Sequence, residues 1–356
     1  MRGVVRHYAN IVHLSYVEAL RGAKSLESVL KAFVADPTDA SFAAAKAEWI
    51  ESRRPYLQTE AFRFYAGPID DEDGPEPMIN GWPMDEYHID YIDGAPLGGL
   101  INAPDDYPDI TKELIASLNE KAGETAITSG YHAIEFLLWG QDWNDGGPGD
   151  RPVTDYTTAA NANRRGAYLL ACADLLTDHL TDLVAEWAPD QSDNYRAEFI
   201  AADPAKSVRA IVYGLHALSG KELAGERLLV AWDTQDQEDE HSCFSDTTHL
   251  DAYYDAIGIQ NVYRGTYRPE SGEPISGTGV RALVRTFLPG EVADFDGKIV
   301  EIIERLKAIP QPFDQAIIGD DETPSRQVIL AAVESLEDFA AMMSHLDHAV
   351  LALEKE

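Results

Sequence analysis

The chain contains 356 residues, of which 62 are acidic and 28 basic, and its formal net charge at pH 7 is −34. A charge of this size repels nucleic-acid phosphates and anionic lipid headgroups, so the composition argues against nucleic acid as a partner. It attracts cations, metal ions among them, although a solvated, salt-adapted surface has the same composition. The length exceeds that of a usual single core, which favours two domains or one internally duplicated helical body.

Cysteine usage and hydropathy restrict the class of protein further. Cys172 and Cys243 lie far apart and outside any Cys-x-x-Cys motif, so neither a zinc ribbon nor a disulfide framework is predicted, while a single bridge stays open. No window approaches the roughly 20 apolar residues of a transmembrane helix. Residues 1–7 lack the apolar segment of a signal peptide, so no leader is recognised in this chain. A mature exported protein and a cytoplasmic protein both fit these observations.

Helical periodicity begins almost at the first residue. Apolar residues at spacings of three and four predict an amphipathic helix over residues 8–34. Asp36, Pro37 and Thr38 supply a stop and a new N-cap, and a second helix is expected over residues 42–65. The chain therefore opens with a helical hairpin.

Residues 67–109 differ from the segments around them. They contain seven prolines together with many Gly and Asp residues, which predicts a long irregular segment. Loops of this length are commonly functional or disordered. Trp82, Tyr87 and Tyr91 within it favour an ordered, packed loop.

Helical patterns dominate the rest of the chain, and strand-like alternation is scarce. The predicted ranges are 110–119, 126–140, 157–188, 195–202, 204–232, 250–257, 291–308 and 325–354. The expected fold class is therefore mostly α.

A short internal echo suggests a duplication. Residues 130–134 read Gly-Tyr-His-Ala-Ile, and residues 214–218 read Gly-Leu-His-Ala-Leu. Two similar helices at the centres of two halves predict helical bundles related by a rough repeat, with the two histidines at corresponding places. We place the N-terminal bundle, with the long loop and the first echo, at residues 1–202 and the C-terminal bundle at residues 203–356.

The helix that contains residues 130–134 carries a candidate metal-binding pair. His132 and Glu135 are three residues apart on an apolar helix, so they share one face and can reach one cation. A buried carboxylate without a partner is costly, and either a metal ion or an arginine satisfies it. A structural histidine bonded to a nearby carboxylate is the alternative interpretation.

A metal site needs three or more ligands, so other segments must contribute. Glu60 is the first candidate, because the apolar residues around it indicate a buried helix end. Arg63 is the rival explanation, since it can neutralise Glu60 or Glu135 without a metal. Glu240 and His241 are further candidate ligands, because they end an acidic run whose default interpretation is a solvated face.

Supporting roles are expected for other polar residues near these candidates. Asp90 lies in an acidic and aromatic part of the long loop, which fits a loop that folds over a site. Glu222 forms either part of the site or a simple buried pair with Arg227. The full supporting set is Arg63, Asp90, Arg151, Glu222 and Asp246.

Known hydrolytic motifs are missing from the chain. It has no His-Glu-x-x-His pair, no Gly-x-Ser-x-Gly turn and no phosphate-binding loop. A nucleophile, base and orienting group cannot be assembled from the spacing.

The residues resemble the imelysin family, also called the M75 peptidase family, and most closely its iron-regulated protein A branch. The family's Gly-x-His-x-x-Glu motif corresponds to residues 130–135. The resemblance covers nearly the whole chain, and its other segments are residues 53–64, 67–70, 80–83, 149–152 and 222–246.

The resemblance implies two helical bundles and export to the periplasm or the outer membrane. It also implies expression linked to iron supply and kinship with periplasmic iron-uptake proteins. By position, His132 and Glu135 are the motif residues, with Glu60 as their expected partner. Although the family is named as a peptidase family, this chain contains no recognisable set of hydrolytic residues.

We therefore expect an iron-related metal-binding protein of the cell envelope, active in iron uptake or handling, with envelope iron-transport proteins as partners. Iron suits imidazole and carboxylate ligands, but zinc and manganese use them too. Two alternatives stay open. One is an M75-type metallopeptidase with a catalytic zinc at His132 and Glu135. The other is a metal-free, partner-binding module in which Arg63 or Arg151 neutralises the motif carboxylate.

Overall fold

The structure is a computed structural model that describes residues 1–144, 146–270 and 272–353. Helices account for nearly all its regular secondary structure, which confirms the mostly α fold class. The helices are α1 (Arg2–Ala35), α2 (Asp39–Leu57), α3 (Glu76–Ile79), α4 (Lys112–Leu118), α5 (Gly130–Trp139), α6 (Ala162–Glu186), α7 (Tyr195–Ala201), α8 (Pro204–His216), α9 (Val230–Thr234), α10 (Thr248–Arg264), α11 (Arg281–Phe287), α12 (Val292–Lys307), α13 (Phe313–Ala316) and α14 (Pro324–Leu353). Residue 354, the predicted end of the last helix, lies outside the described residues.

Local chemistry explains where the first helices begin and end. Thr38 caps α2 by accepting a hydrogen bond from the backbone N–H of Ser41. The predicted second helix is too long, because α2 ends at Leu57 and the chain tightens into a 3-10 helix over Gln58–Phe62. This change of helix type places Glu60 in a buried turn at the centre of the molecule.

Other departures from the predicted elements concern the C-terminal half, where α10 extends to Arg264 beyond the predicted range 250–257 and α11 was not predicted. The predicted helix over 204–232 is continuous, but its middle part, Ala217–Leu229, is π-helical and connects α8 to α9. A small antiparallel hairpin pairs β1 (Thr266–Tyr267) with β2 (Ile275–Ser276), and strands this short leave no periodicity in a sequence.

The helices pack in two groups that meet around one core. In the first group α1 packs on α2 and α6, and α5 lies between α2 and α6. In the second group α14 packs on α8, the π-helical segment and α12. α10 joins the groups, because it contacts α2 and Gln58–Phe62 as well as α12. The buried apolar side chains form one cluster that extends through both groups.

The histidines of the sequence echo lie in different local settings. His132 is in the first turn of α5 and is fully buried, whereas His216 ends α8 and is half-buried. His216 Nδ1 lies 2.8 Å from the backbone oxygen of Ala340 on α14. The duplication and the division at residue 202 stay predictions, for which superposition of the two halves is the test.

Cys172 and Cys243 are buried free thiols, so the single bridge that the sequence left open is not formed. None of the described helices is long and apolar enough to cross a membrane.

Candidate metal centre

Helix α5 carries the Gly-x-His-x-x-Glu residues into the core. Gly130 begins it with a φ of +88°, and a Cβ here would lie 2.5 Å from the backbone oxygen of Ile79. Only glycine tolerates both the positive φ and this close approach. Gly140 ends the helix with a φ of +75°, and every residue between the two glycines is buried. The short helix therefore holds His132 and Glu135 at a fixed place in the core.

His132 and Glu135 contact each other, as their spacing predicts. Glu135 Oε2 lies 2.9 Å from His132 Nδ1. Its other oxygen accepts hydrogen bonds from the backbone N–H and the hydroxyl of Ser245, at 3.0 and 2.6 Å. Burial raises the pKa of Glu135 to about 8, against the lowering effect of Ser245 and Arg53. The carboxylate thus lies between a serine and a histidine.

Ser245, Glu135 and His132 form an array of serine, carboxyl group and histidine, and a second array of the same kind surrounds His241. Asp251 Oδ2 lies 2.7 Å from His241 Nδ1 and accepts a hydrogen bond from the Ser242 hydroxyl at 2.5 Å. Arg53 donates to the same oxygen at 3.0 Å. Burial opposes ionisation of Asp251, but Arg53 and His241 outweigh it and lower its pKa below the ordinary value. Asp251 is therefore a charged anchor for the ring of His241.

The two imidazole rings meet edge to face, and we call His132 and His241 the histidine pair. Their centroids are 4.7 Å apart and their planes are inclined by 77°. Both Nε2 atoms are buried, and neither has a hydrogen-bond partner in the described part of the chain. Burial is the main cause that lowers both pKa values, that of His241 to about 4. Both rings are therefore neutral at pH 7.

This arrangement fits part of a metal site. A buried nitrogen without a partner costs free energy that a bound cation would recover. Nowhere in residues 1–144, 146–270 and 272–353 do three His, Cys, Asp or Glu side chains lie close enough to hold a metal ion as they stand. The residues therefore offer two nitrogen donors and not a complete coordination sphere.

Glu60 belongs to a different cluster. Its Oε2 accepts charge-assisted hydrogen bonds from Arg63 at 2.7 Å and from Arg227 at 2.6 Å, while Oε1 has no partner among the described residues. Arg227 also contacts Asp255 at 2.8 Å and Glu222 at 2.9 Å. Burial opposes ionisation of Glu60, but the two arginines outweigh it and lower its pKa to about 2. The ion pair with Arg63 that the sequence left open is formed, and a ligand role for Glu60 stays a prediction.

Asp90 and Arg151 fasten the long loop to the first group of helices. Asp90 pairs with Arg151 at 2.8 Å and with Arg165 of α6 at 2.6 Å. Arg151 also pairs with Asp155 at 2.9 Å. Since Arg63 and Arg151 are both committed to other carboxylates, the metal-free alternative with either arginine at Glu135 loses its support.

Glu240 and His241 face different surroundings although they are neighbours in sequence. The backbone at Glu240 is extended, so successive side chains point to opposite sides. His241 joins the histidine pair, whereas the charged groups that act on Glu240 are Asp246, Asp314 and Asp142. Asp246 is therefore close to Glu240, on the side of Glu240 that faces other carboxylates.

Four residues of the site escaped the sequence analysis: Arg53, Ser242, Ser245 and Asp251. Ser242 and Ser245 flank Cys243 in the same run as His241, and their hydroxyls were the available indication. Arg53 and Asp251 are 198 positions apart, and no periodicity connects them.

The order of groups in the two arrays bears on hydrolysis. In each array the carboxylate lies in the middle, and the serine hydroxyl donates to that carboxylate. In a hydrolytic triad the imidazole lies in the middle and accepts the hydroxyl proton. Neither array therefore activates its serine as a nucleophile in this geometry.

Comparison with solved structures identifies proteins of the same fold. One, from Parabacteroides distasonis ATCC 8503, is provisionally identified as an iron-regulated protein A precursor; it superposes with a TM-score of 0.74 at 19% identity, covering 98% of this chain and 95% of that one. An imelysin-like protein from Psychrobacter arcticum 273-4 has a TM-score of 0.65 at 11% identity, covering 96% and 93%. At these identities the likeness concerns the fold alone.

The family comparison extends over nearly the whole sequence. A search of curated proteins finds no significant match. The family model of imelysin, peptidase M75, matches residues 12–343, which include both arrays and the Glu60 cluster. The chain therefore belongs to the imelysin family.

Proposed function

We propose that this protein is an iron-related metal-binding protein, in which Nε2 of His132 and Nε2 of His241 bind the metal ion. Its family and its fold, which resembles that of an iron-regulated protein, support an iron-related role at the family level. One observation carries the choice of residues. Each of two adjoining buried imidazoles has its Nδ1 held by a carboxylate and its Nε2 without a partner in the described residues.

Metal-binding histidines usually have this environment. A carboxyl oxygen that accepts a hydrogen bond from Nδ1–H leaves the lone pair on Nε2 and fixes the orientation of the ring. Neutral imidazole is the form that binds a metal, and burial keeps both rings neutral. In this proposal Glu135 and Asp251 position the ligands and do not bind the ion themselves.

Two imidazole nitrogens can bind several metals, and the family favours one of them. Imidazole suits iron, zinc and other divalent ions of the first transition series, and availability decides among them in cells. The iron-related family favours iron. Two protein nitrogens leave further positions for water or for a carried chelating group, which suits exchange of the metal during uptake or handling better than permanent storage.

Trp82 packs against the proposed site. Its ring lies 5.4 Å from that of His241, and its Nε1 donates to the backbone oxygen of Glu240 at 3.1 Å. Trp82 belongs to the long loop, so this loop contributes to the burial of His241.

Calorimetric titration of the untagged, chelator-treated protein with Fe²⁺ under anaerobic conditions, and with Zn²⁺ and Mn²⁺, tests the proposal. We expect saturable binding that is lost in His132→Ala and in His241→Ala. His216→Ala is the matched control, because His216 is a half-buried histidine of the other helix group, and it should bind as the parent does. Circular dichroism verifies the fold of each variant. Unchanged binding in both site variants would refute the proposal.

We also propose that the protein works in the periplasm or at the outer membrane, beside envelope iron-transport proteins. The resemblance to iron-regulated protein A supports this setting. Fractionation of cells that express the gene from its own locus tests it. Recovery of the protein with the cytoplasmic fraction alone would contradict the proposed location.

A further inference from the structure

Four buried carboxylates of the described residues lie near one another, and we call them the acidic cluster. Asp142 follows α5, Glu240 and Asp246 precede α10, and Asp314 lies in α13. Their exposed fractions are 1%, 0%, 5% and 3%. The charged groups that act most strongly on Asp142, Glu240 and Asp246 are other members of the cluster. Three separate segments of the chain therefore bury acidic side chains close to one another.

Each member has at least one oxygen that no donor of the described residues reaches. These oxygens are Oδ2 of Asp142, Oε1 of Glu240, both carboxylate oxygens of Asp246 and Oδ1 of Asp314. The remaining oxygens are held in place. Asp142 Oδ1 accepts from the backbone N–H of Asn144 at 2.9 Å, Glu240 Oε2 from Thr248 at 3.1 Å, and Asp314 Oδ2 from Gln315 at 3.0 Å.

The electrostatic environment of the cluster is uncompensated. The charged groups that act on Asp246 are Asp314 and Asp142, and both are acidic. Burial, followed by these two carboxylates, raises the pKa of Asp246 to about 8, and Asp246 and Asp142 lie within hydrogen-bonding reach of each other. A proton on one of these two carboxyl groups would relieve part of the repulsion. A divalent cation would relieve more of it, because it compensates two charges at once.

A surface cavity of about 570 Å³ adjoins the cluster at Asp314. Trp143, Asp236 and Glu238 also line this cavity. The acidic lining attracts cations and repels anions. One member of the buried cluster therefore faces a cation-attracting cavity.

We propose that the acidic cluster is a second cation site, which binds one Ca²⁺ through Asp142, Glu240, Asp246 and Asp314. All four donors are carboxylate oxygens, which suit hard cations and not the softer transition metals. Calcium accepts six to eight oxygens in variable geometry, whereas Mg²⁺ demands a near-ideal octahedron. An irregular cluster from three segments suits calcium.

The site closes around its ion and is not preformed. No three acidic side chains of the described residues stand close enough to hold a metal as they are, since without the ion their charges repel. Asp142, Glu240 and Asp314 each have one anchored and one free oxygen, and both oxygens of Asp246 are free, so small rotations of the side chains would bring free oxygens to the ion.

The cation site also supports the histidine pair through the chain that connects them. Glu240 adjoins His241, and Asp246 adjoins Ser245, which donates two hydrogen bonds to Glu135. An ion that fixes both ends of residues 240–246 therefore fixes the backbone of His241 and the position of Ser245, which holds Glu135. Calcium is thus expected to stabilise this segment without contacting the histidine pair.

Titration of the chelator-treated full chain with Ca²⁺, by calorimetry at physiological ionic strength, tests the inference. We expect one ion per chain in the parent and loss of saturable binding in Asp246→Asn and in Asp314→Asn. The matched control is Asp105→Asn with Asp106→Asn, two exposed acids outside the cluster, which should leave binding unchanged. Without calcium, Asp246→Asn should melt no lower than the parent, because it removes like-charge repulsion.

Three outcomes decide the matter. Absence of saturable Ca²⁺ binding in the parent, or parental affinity in both cluster variants, overturns the inference. Should Asp246→Asn fail to fold, Asp314→Asn decides, since it lies at the cavity and outside residues 240–246. His132→Ala should keep its Ca²⁺ while losing the transition metal, so the two metal proposals fail or succeed separately.

Discussion

At the residue scale, the middle position of the carboxylate in each array determines what the histidines can do. Glu135 and Asp251 hold Nδ1 of their histidines and accept hydrogen bonds from serines. The contact between His132 and Glu135 was predictable, because residues three apart on a helix share a face. The role of Glu135 in this contact was not predictable. Ser245, 110 positions away in the sequence, donates a hydrogen bond to the Glu135 oxygen that would otherwise be free to bind a metal.

Glu135→Gln separates a positioning role from a ligand role. If Glu135 orients His132, the isosteric amide keeps the shape of the site, and metal affinity falls by roughly 10- to 100-fold, the usual cost of losing such a partner. Calorimetric titration with Fe²⁺ or Zn²⁺ gives the affinity, and His132→Ala supplies the reference for complete loss. Loss in Glu135→Gln as complete as in His132→Ala would show instead that the carboxylate binds the metal directly.

At the scale of elements, helix type determines which charged groups meet. The sequence predicts one helix over 204–232, and the chain indeed runs on through α8, the π-helical segment and α9. The π-helical turns carry Glu222 and Arg227, and Arg227 reaches Glu60 across 167 positions. Apolar spacing predicts the existence of a helix but not its turn width or its distant partners, so the assignment of Glu60 to the histidines depended on burial alone.

The Glu60 cluster should make stability dependent on acid. The pKa of Glu60 is about 2 in the folded chain, whereas its ordinary value is 4.5. A carboxylate with a depressed pKa contributes stability above the unfolded value and loses it as the pH falls through the folded value. Removal of one partner of a buried ion pair typically costs about 3 to 5 kcal/mol. We expect Glu60→Gln to lower the free energy of unfolding by an amount of this order at pH 7, and the gap to the parent to shrink as the pH falls from 4.5 towards 2.

Urea unfolding of both proteins across this pH range measures the gap. Glu124→Gln, at an exposed glutamate, is the control and should track the parent throughout. A gap between parent and Glu60→Gln that does not change with pH would mean that the variant acts through packing and not through the charge of Glu60.

At the scale of the whole molecule, helical content and family could be predicted from the sequence, whereas the combination of groups at the site could not. Helix α10 contributes Asp251 and Asp255, α2 contributes Arg53, and the turn after α2 contributes Glu60. Helix α10 joins the two helix groups, so its contact with α2 and with the turn after α2 depends on how the groups pack. Motif residues such as His132 identify the family, but the partners that define their chemistry become visible only in the assembled core.

The assembled core also bears on the peptidase name of the family. We expect the metal-loaded protein to show no general peptidase turnover, because among the described residues the carboxyl groups beside the histidine pair are already engaged and none is free to act as general base. Glu135 is engaged by His132 and Ser245, and Asp251 by His241, Ser242 and Arg53. A general base must be within reach of the proton that it removes.

Incubation of the iron-loaded and zinc-loaded protein with an unfolded polypeptide, followed by mass spectrometry of the products, tests this expectation. Glu135→Gln is run in parallel to reveal contaminating protease, since a contaminant cleaves equally in both samples. Cleavage by the parent that disappears in the variant would mean that metal binding frees Glu135 from Ser245 and turns it into a base. The histidine pair would then hold a catalytic metal, and the metallopeptidase alternative would replace the binding role proposed above.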